Sequence, residues 1–322
     1  MVSVPETELL ENVDGIPNVT DRSMTDTQQR FEGCLLGLAC GDAIGGPVEF
    51  YRRGRFPPVQ GMHGGGKFEL RPGEWTDDTA MALCLGESLI ASDGSDPLDQ
   101  MQRYWRWAET GHHSTRPHAF GLGKTVAASL MRFRRSGNPL AGPCDPATAG
   151  NGSLMRLAPV AMYFFDDRQA ALDAAVLSSR TTHAADECLA ACRYLVAILH
   201  AALHGAADKA TVLAAADDVA LPPGMDRIAR KDYLTAGADR IHGRGYVVDC
   251  LEAALWCFWH ATDFEQAVLM AANLGDDADS TAAVCGQIAG AFHGLEAIPQ
   301  DWRAVLFHYD AIHSLALALR QR

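Results

Sequence analysis

The sequence predicts an all-α fold, a compact single-domain bundle of helices packed around one core. Apolar residues recur at helical spacing in segment after segment, and the alternating pattern of strands is almost absent. With 322 residues, of which 48% are hydrophobic, the chain is long enough to bury such a core.

Helices are predicted wherever the apolar spacing persists between groups of glycine and proline. In chain order they cover residues 31–43, 79–91, 98–109, 125–135, 154–164, 168–179, 184–204, 209–219, 247–260, 264–272 and 280–293. Residues 1–28 are polar and lack a clear hydrophobic period, so we interpret them as a mobile N-terminal tail. Residues 29–322 then form one folded domain.

The net charge of the chain disfavours some classes of binding partner. A formal net charge of −13 disfavours direct binding to nucleic acid or to an anionic membrane surface. Residues 1–28 have no signal-peptide pattern, and no segment has 18 uninterrupted apolar residues, so we expect a cytoplasmic protein. The nine cysteines include no CxxC pair, which predicts reduced, buried thiols.

Two acidic clusters stand directly before predicted helices. Thr76-Asp77-Asp78 precedes the helix that starts at residue 79, where Thr76 is an expected N-cap. Asp277-Ala278-Asp279-Ser280 precedes a helix with glycines at 286, 290 and 294, a spacing that permits close approach of another helix. Capping alone explains one such cluster. Two oxygen-only clusters favour Mg²⁺ or Mn²⁺.

Three further features are candidates for substrate or catalytic groups. Glu49 follows a predicted helix end and is placed to approach the same metals, although an isolated Glu there is usually a solvated surface residue. Gly150-Asn151-Gly152-Ser153 is expected to open a helix and to expose N–H groups to a diphosphate; a turn with a Ser N-cap is the plainer interpretation. His183 is expected to begin a helix, as a capping, packed or substrate-contacting residue.

The order of these motifs resembles the ADP-ribosylglycohydrolase family from about residue 31 to residue 302. The resemblance depends on GLACGDA at 37–43 with PVEF at 47–50, on WTDDT at 75–79, on GNGSLMR at 150–156, on Thr182-His183 and on GDDADS at 275–280. It implies an all-α catalytic domain with a cleft that holds two Mg²⁺ or Mn²⁺ ions.

The resemblance also implies roles for individual residues. The implied metal ligands are Thr76, Asp77, Asp78, Asp277, Asp279 and Ser280, where serine replaces the threonine usual in the family but keeps the hydroxyl. Glu49 matches the acidic residue that activates water, and Asp78 is the second catalytic candidate. The implied ADP-ribose contacts are Gly150, Asn151, Gly152, Ser153, His183 and Tyr246. Gly123, Lys124 and Thr125 are further candidates for substrate contact.

The implied activity is removal of ADP-ribose from a modified protein side chain, above all arginine, with the ADP-ribosylated protein as partner and ADP-ribose as product. One position departs from the arginine-directed pattern, because Gly121 stands where such members often carry Asp. Other acceptors therefore stay open: serine, O-acetyl-ADP-ribose, poly(ADP-ribose) or a nucleobase. A different class is a noncatalytic binding protein, or an immunity protein that blocks an ADP-ribosylating toxin with residues 1–28.

Overall fold

The computed structural model describes residues 19–321, with side chains from residue 26 onward. This part of the chain folds into helices joined by loops, and its extended pairing is limited to three isolated bridges. The helices are α1 Val19–Gly45, α2 Asp77–Ala91, α3 Pro97–Thr110, α4 Lys124–Ser136, α5 Ala158–Tyr163, α6 Arg168–Thr182, α7 Asp186–Leu203, α8 Lys209–Ala214, α9 Asp226–Ala229, α10 Val247–His260, α11 Phe264–Ala272, α12 Ala278–His293, α13 Gln300–Val305 and α14 Tyr309–Arg320. The all-α prediction is confirmed.

The centre of the fold is an antiparallel pair of helices, α1 and α12. Every residue from 31 to 46 and from 278 to 291 is buried, as expected for helices that are apolar on all sides. The pair is in backbone contact: an added Cβ at Gly37 would overlap the carbonyl oxygen of Gly286, and one at Gly290 would overlap that of Gly33. The prediction of close approach at 286 and 290 is therefore correct.

The remaining helices surround this pair. Helices α10 and α11 pack on α12, whereas α14 packs on α1. On another side α2 contacts α3 and α5, and α6 pairs with α7. The last residues of α1 and the first of α12 meet at one end of the bundle, because the two helices run in opposite directions. That end carries both acidic clusters.

Several predicted boundaries were wrong. The helix predicted at 154–164 begins only at Ala158, because Pro159 suits the first turn of a helix and disfavours helical backbone before it. Ser153 therefore caps no helix. His183 follows the end of α6 instead of beginning a helix, since α7 starts at Asp186. The helix predicted at 209–219 stops at Ala214. Helices α9, α13 and α14 were not predicted.

Helix α1 already covers residues 19–28 of the predicted tail, and residues 1–18 lie outside the described residues. All nine cysteines are free and all but Cys144 are buried, which agrees with the prediction of reduced thiols. Among helices in the described part, none has both the length and the apolar character needed to cross a membrane.

Candidate active site

A cavity of about 460 Å³ opens where the C-terminal end of α1, the N-terminal ends of α2, α4 and α12, and the loop before α5 meet. Both acidic clusters reach it. Asp77 enters from the start of α2, whereas Asp277 and Asp279 enter from the start of α12. Glu49, just past α1, completes the acidic part of the wall. The fold thus joins carboxylates that are about 200 residues apart in sequence.

Asp42, in the last turns of α1, fixes the first acidic cluster in place. Its buried carboxylate accepts hydrogen bonds from the backbone N–H of Thr76 at 2.8 Å and of Thr79 at 2.9 Å, and from both threonine hydroxyls at 2.8 and 2.6 Å. Thr76 occupies the N-cap position, but its side chain makes no capping bond. Asp42 therefore does the capping expected of Thr76.

The second cluster is held by a loop with left-handed backbone. Gly275 and Asp276 both have positive φ angles, at 70° and 59°. Asn151 donates a hydrogen bond of 2.7 Å from Nδ2 to Asp277 Oδ2, and the N–H of Asp277 donates to the carbonyl of Gly243 at 2.7 Å. Asn151, predicted as a substrate contact, thereby also orients a candidate metal ligand.

Two sets of carboxylates are close enough to share a metal ion, and Asp279 belongs to both. Its ligand oxygens lie within 4.8 Å of those of Asp42 and Asp78 in one set, and of Glu49 and Asp277 in the other. Burial raises the pKa of all five carboxyl groups, and repulsion among them adds to the shift for Glu49, Asp78 and Asp279.

The donor atoms fit a divalent cation. Glu49 Oε2 and Asp78 Oδ1 are buried without a hydrogen-bond partner, and such an orphaned carboxylate oxygen is costly unless a cation binds it. The Thr76 hydroxyl lies within hydrogen-bond distance of Asp42 Oδ1 at 2.8 Å, Asp78 Oδ2 at 3.3 Å and Asp279 Oδ2 at 3.5 Å, so its oxygen is placed among the same carboxylates. Hard oxygen donors without nitrogen or sulfur are typical of Mg²⁺, Mn²⁺ or Ca²⁺ sites.

Glu49 differs from its neighbours because it lies at the edge of the cluster. Its pKa is raised to about 8 by burial and by the charge of Asp277, against the opposing charge of Lys67. A carboxyl group poised near neutral pH is suited to proton transfer. A cation bound nearby would lower this pKa and favour the ionised carboxylate.

Another part of the cavity wall is made by the loop before α5 and by His183. Gly150 and Gly152 lie against the His183 ring, and a Cβ at 152 would stand 2.8 Å from its Cε1. The pKa of His183 is lowered to about 3 by burial and by the charge of Arg156, so the ring is neutral. Its Nδ1 pairs with the Thr182 hydroxyl at 2.9 Å. A neutral, small-residue wall of this kind accommodates a bulky polar ligand.

Most of the residues predicted for the site line this one cavity. They are Glu49, Asp77, Gly123, Lys124, Thr125, Gly150, Asn151, Gly152, His183, Asp277, Asp279 and Ser280. Thr76 and Asp78 are buried directly behind the cavity wall. Two predicted contacts do not line the cavity: Ser153 is buried against Ser179 and Cys192, and Tyr246, partly exposed, forms a backbone bridge with Gly150 and donates its hydroxyl to Glu187 at 2.9 Å.

Sequence reasoning missed two residues. Asp42 stands in the Gly41-Asp42 motif, and its place one turn from the glycine-marked end of α1 was the available signal. Arg156, fully buried, donates to the Gly152 carbonyl at 2.8 Å and to Thr182 Oγ1 at 2.9 Å, and so braces the loop from behind. An arginine inside an apolar run was its signal.

The fold and the cavity define a class of protein. It is a helical protein whose buried carboxylates are suited to bind divalent cations and lie beside a cavity for one small polar ligand. The chain belongs to the ADP-ribosylglycohydrolase family, whose model matches residues 23–322. The resemblance predicted from the sequence motifs is thus confirmed, as is the predicted class of enzyme.

Named relatives share most of the chain. It is 43% identical to the "ADP-ribosylarginine hydrolase Tri1" of Pseudomonas putida, over 91% of this chain and 78% of the relative, and 38% identical to that of Serratia proteamaculans, over 91% and 79%. It is 32% identical to the "ADP-ribosyl-[dinitrogen reductase] glycohydrolase" of Rhodospirillum rubrum, over 90% and 92%. A solved structure titled "ADP-ribosylglycohydrolase-related protein complex" is similar, with a TM-score of 0.82, 42% identity, and coverage of 92% of this chain and 99% of that one.

Proposed function

We propose that this protein is an ADP-ribosylarginine hydrolase that uses two Mg²⁺ or Mn²⁺ ions. The observation that carries the proposal is the pair of carboxylate sets around Asp279, buried beside a cavity that the glycine loop and His183 also line. The relatives named for arginine removal match over most of their length, which supports the choice of acceptor.

The metal ligands in this proposal are Thr76, Asp77, Asp78, Asp277, Asp279 and Ser280, with Asp42 holding Thr76 in position. Ions bound there would supply a template for the ribose hydroxyls and an acidified water. They would also neutralise the repulsion that now raises the pKa of the buried carboxyl groups. The two overlapping sets of carboxylates support the choice of two ions.

The chain's own groups supply the rest of the chemistry. Glu49 is the proposed base that orients water toward the ribose carbon, because it lines the cavity and belongs to the carboxylate set that also contains Asp277 and Asp279. The backbone N–H of Gly152 is proposed to face the diphosphate, because those of Gly150 and Asn151 already donate to the carbonyls of Thr148 and Gly245 at 2.7 and 3.0 Å, and neutral His183 is proposed to contact the ribose. Gly123, Lys124 and Thr125 form the outer wall, where Lys124 adds a positive charge.

Gly121 replaces the Asp that arginine-directed members often carry, but other carboxylates remain near this position. It has a φ of 80°, and a side chain there would overlap Asp77 Oδ1. The carboxylates of Asp77 and Glu49 already line this part of the cavity. An arginine acceptor therefore meets carboxylates without an acidic residue at position 121.

The test is hydrolysis of matched substrates. Arginine- and serine-ADP-ribosylated proteins are incubated with the wild type, Glu49→Gln, Asp77→Asn and Asp279→Asn, with Mn²⁺, Mg²⁺ or a chelator. We expect ADP-ribose release from arginine only, lost by at least about 100-fold in each variant, because a removed charge-stabilising group typically costs that much. Turnover that survives chelator and both Asp variants would refute the metal mechanism. Release from serine alone would refute the choice of acceptor.

The noncatalytic alternative is addressed by calorimetry. Tight binding of ADP-ribose by the wild type, without turnover of arginine, serine, O-acetyl or poly(ADP-ribosyl) substrates, would show a binding protein.

A further inference from the structure

A group of exposed arginines lies beside the mouth of the cavity and has no role in the site described above. It is the segment Arg52-Arg53-Gly54-Arg55, here called the basic turn. The N–H of Arg55 donates to the carbonyl of Arg52 at 3.0 Å, and Gly54 has a φ of 71°, so the segment is a closed turn. All three arginines are exposed.

The basic turn is held by backbone pairing against the loop at residues 275–277, which contains the candidate metal ligand Asp277. Phe50 donates from its N–H to the carbonyl of Asp276 at 2.7 Å, and Asp276 donates back to the carbonyl of Tyr51 at 2.7 Å. Arg52 then forms a bridge with Gly275. Phe50 has a φ of 70°, which is unfavourable for an aromatic residue, yet the pairing on both sides imposes it. The arginines therefore have a fixed place relative to Asp277.

The arginines of the basic turn are not paired with any carboxylate in the described part of the chain. In the described part of the chain, no carboxylate lies within ion-pair distance of Arg52, Arg53, Arg55 or Lys67. Arg53 donates only to the carbonyl of Ala238, and Lys67 lies 4.4 Å from the centre of the exposed Phe50 ring. The chain as a whole carries 40 acidic against 27 basic residues, so three arginines without an ion-pair partner in one turn are a local reversal of charge.

The position of the basic turn determines which ligand it can meet. Phe50 lines the cavity, but residues 52–55 do not. The arginines therefore form no part of the wall around a molecule contained in the cavity, whereas a protein whose modified side chain enters past Phe50 would bring its surface close to them. Exposed aromatic residues next to arginines are typical of protein-binding surfaces.

We propose that the basic turn is a docking surface for an acidic surface on the ADP-ribosylated protein, next to the modified side chain. This inference rests on the proposed function and adds a preference for acidic surroundings of the modified arginine. Charges outside the reacting centre act mainly on encounter, so they raise kcat/KM for a protein and leave the chemical step unchanged. A nucleic acid is disfavoured as the partner, because the rest of the chain repels it.

The test compares substrates that differ only around the modified residue. Two labelled peptides carry one ADP-ribosylated arginine, flanked by aspartates in one and by lysines in the other; free ADP-ribosylarginine is the small substrate. The variant R52Q/R53Q/R55Q is compared with a control, R134Q/R135Q/R320Q, that loses the same charge. Arg135 lies about 16 Å along α4 from Lys124, and Arg320 contacts Gln28, near the end of α1 remote from the cavity.

We expect the wild type to prefer the aspartate peptide, and the basic-turn variant to lose about 10-fold in kcat/KM for it at low salt. Hydrolysis of ADP-ribosylarginine should stay within about 2-fold, which also shows that the variant is folded, and the control should match the wild type. High salt should remove the difference between wild type and variant.

Two results would overturn the proposal: equal losses on all three substrates, or no loss on the aspartate peptide. If the wild type hydrolyses none of them, the proposed function fails, and the docking surface is judged from anisotropy titrations of the labelled aspartate peptide. Binding that the basic-turn variant loses and the control keeps would then support it. A labelled oligonucleotide that binds more tightly than the peptide, through the same arginines, would replace the acidic protein as the partner and refute the proposal.

Discussion

Replacing Asp279 with asparagine should stabilise the protein in chelator and remove the stabilisation that Mn²⁺ provides. Asp279 belongs to both carboxylate sets, and its neighbours' ligand oxygens lie within 4.8 Å. Without a cation these groups repel each other, which contributes to the raised pKa of Asp279. Asparagine keeps an oxygen for the Ser280 N–H, which now donates to Asp279 Oδ1 at 2.9 Å, and removes the charge.

The size of the effect follows from Coulomb's law. Two charges 4.8 Å apart repel by about 3.5 kcal/mol at an effective dielectric of ~20. Protonation already relieves part of this repulsion, because every carboxyl group of the two sets has a raised pKa. We expect a gain of about 2 kcal/mol, or roughly 3 °C in Tm for a chain of this length. Wild type with Mn²⁺ at 100 times its Kd should gain about 2.7 kcal/mol, which the variant should lose.

The gain in chelator should depend on pH. Each raised pKa means that the folded protein holds protons that the unfolded chain has released, so wild-type stability falls as pH rises from about 4, the unfolded value, through about 8, the pKa of Glu49. The Asp279→Asn advantage should therefore be larger at pH 8 than at pH 5.5.

Scanning calorimetry with chelator and with Mn²⁺, at both pH values, measures these effects. Asp301→Asn, on the exposed side of α13, is the control and should change stability by no more than roughly 0.5 kcal/mol in either condition. An Asp279→Asn protein that is less stable in chelator, and still gains the full stabilisation from Mn²⁺, would refute the reasoning.

Three further predictions concern the surrounding structure. Gly286→Ala should cost about 2 kcal/mol, since its Cβ would meet the backbone of α1, whereas Gly86→Ala meets only a leucine side chain and should be neutral or stabilising in urea unfolding. Glu74, whose two arginine partners lower its pKa to about 2, should contribute roughly 3 kcal/mol above pH 4.5; the deficit of Glu74→Gln in urea unfolding should shrink as pH falls toward 2, and a constant deficit would contradict this. Asn151→Ala, which frees Asp277, should weaken Mn²⁺ binding by 10- to 100-fold in calorimetric titrations, and unchanged affinity would show that the 2.7 Å bond has no such role.

The sequence by itself determined the helical class, because the apolar residues of each segment recur with the 3.6-residue period of an α-helix. It also determined the candidate acidic clusters and the glycines of α12, since residue type limits the donor atoms and the size of a side chain. Prediction from the sequence was wrong at helix boundaries that do not depend on the periodicity of apolar residues. The helix before Phe164 was placed too early because Pro159 and the loop at Asn151 override the apolar pattern, and His183 was placed at the wrong helix end.

Only the tertiary structure decided which carboxylates meet. Helices α1 and α12 touch along their glycines, so the chain positions near 42 and near 279 come together at one end of the bundle. The packing of α1 against the start of α2 turned Asp42 from an ordinary helix residue into the group that holds Thr76. The packing of the whole chain also decided that Ser153 and Tyr246 do not line the cavity. Distances between remote segments depend on how whole helices pack, and this information is not contained in the spacing of residues along any one of them.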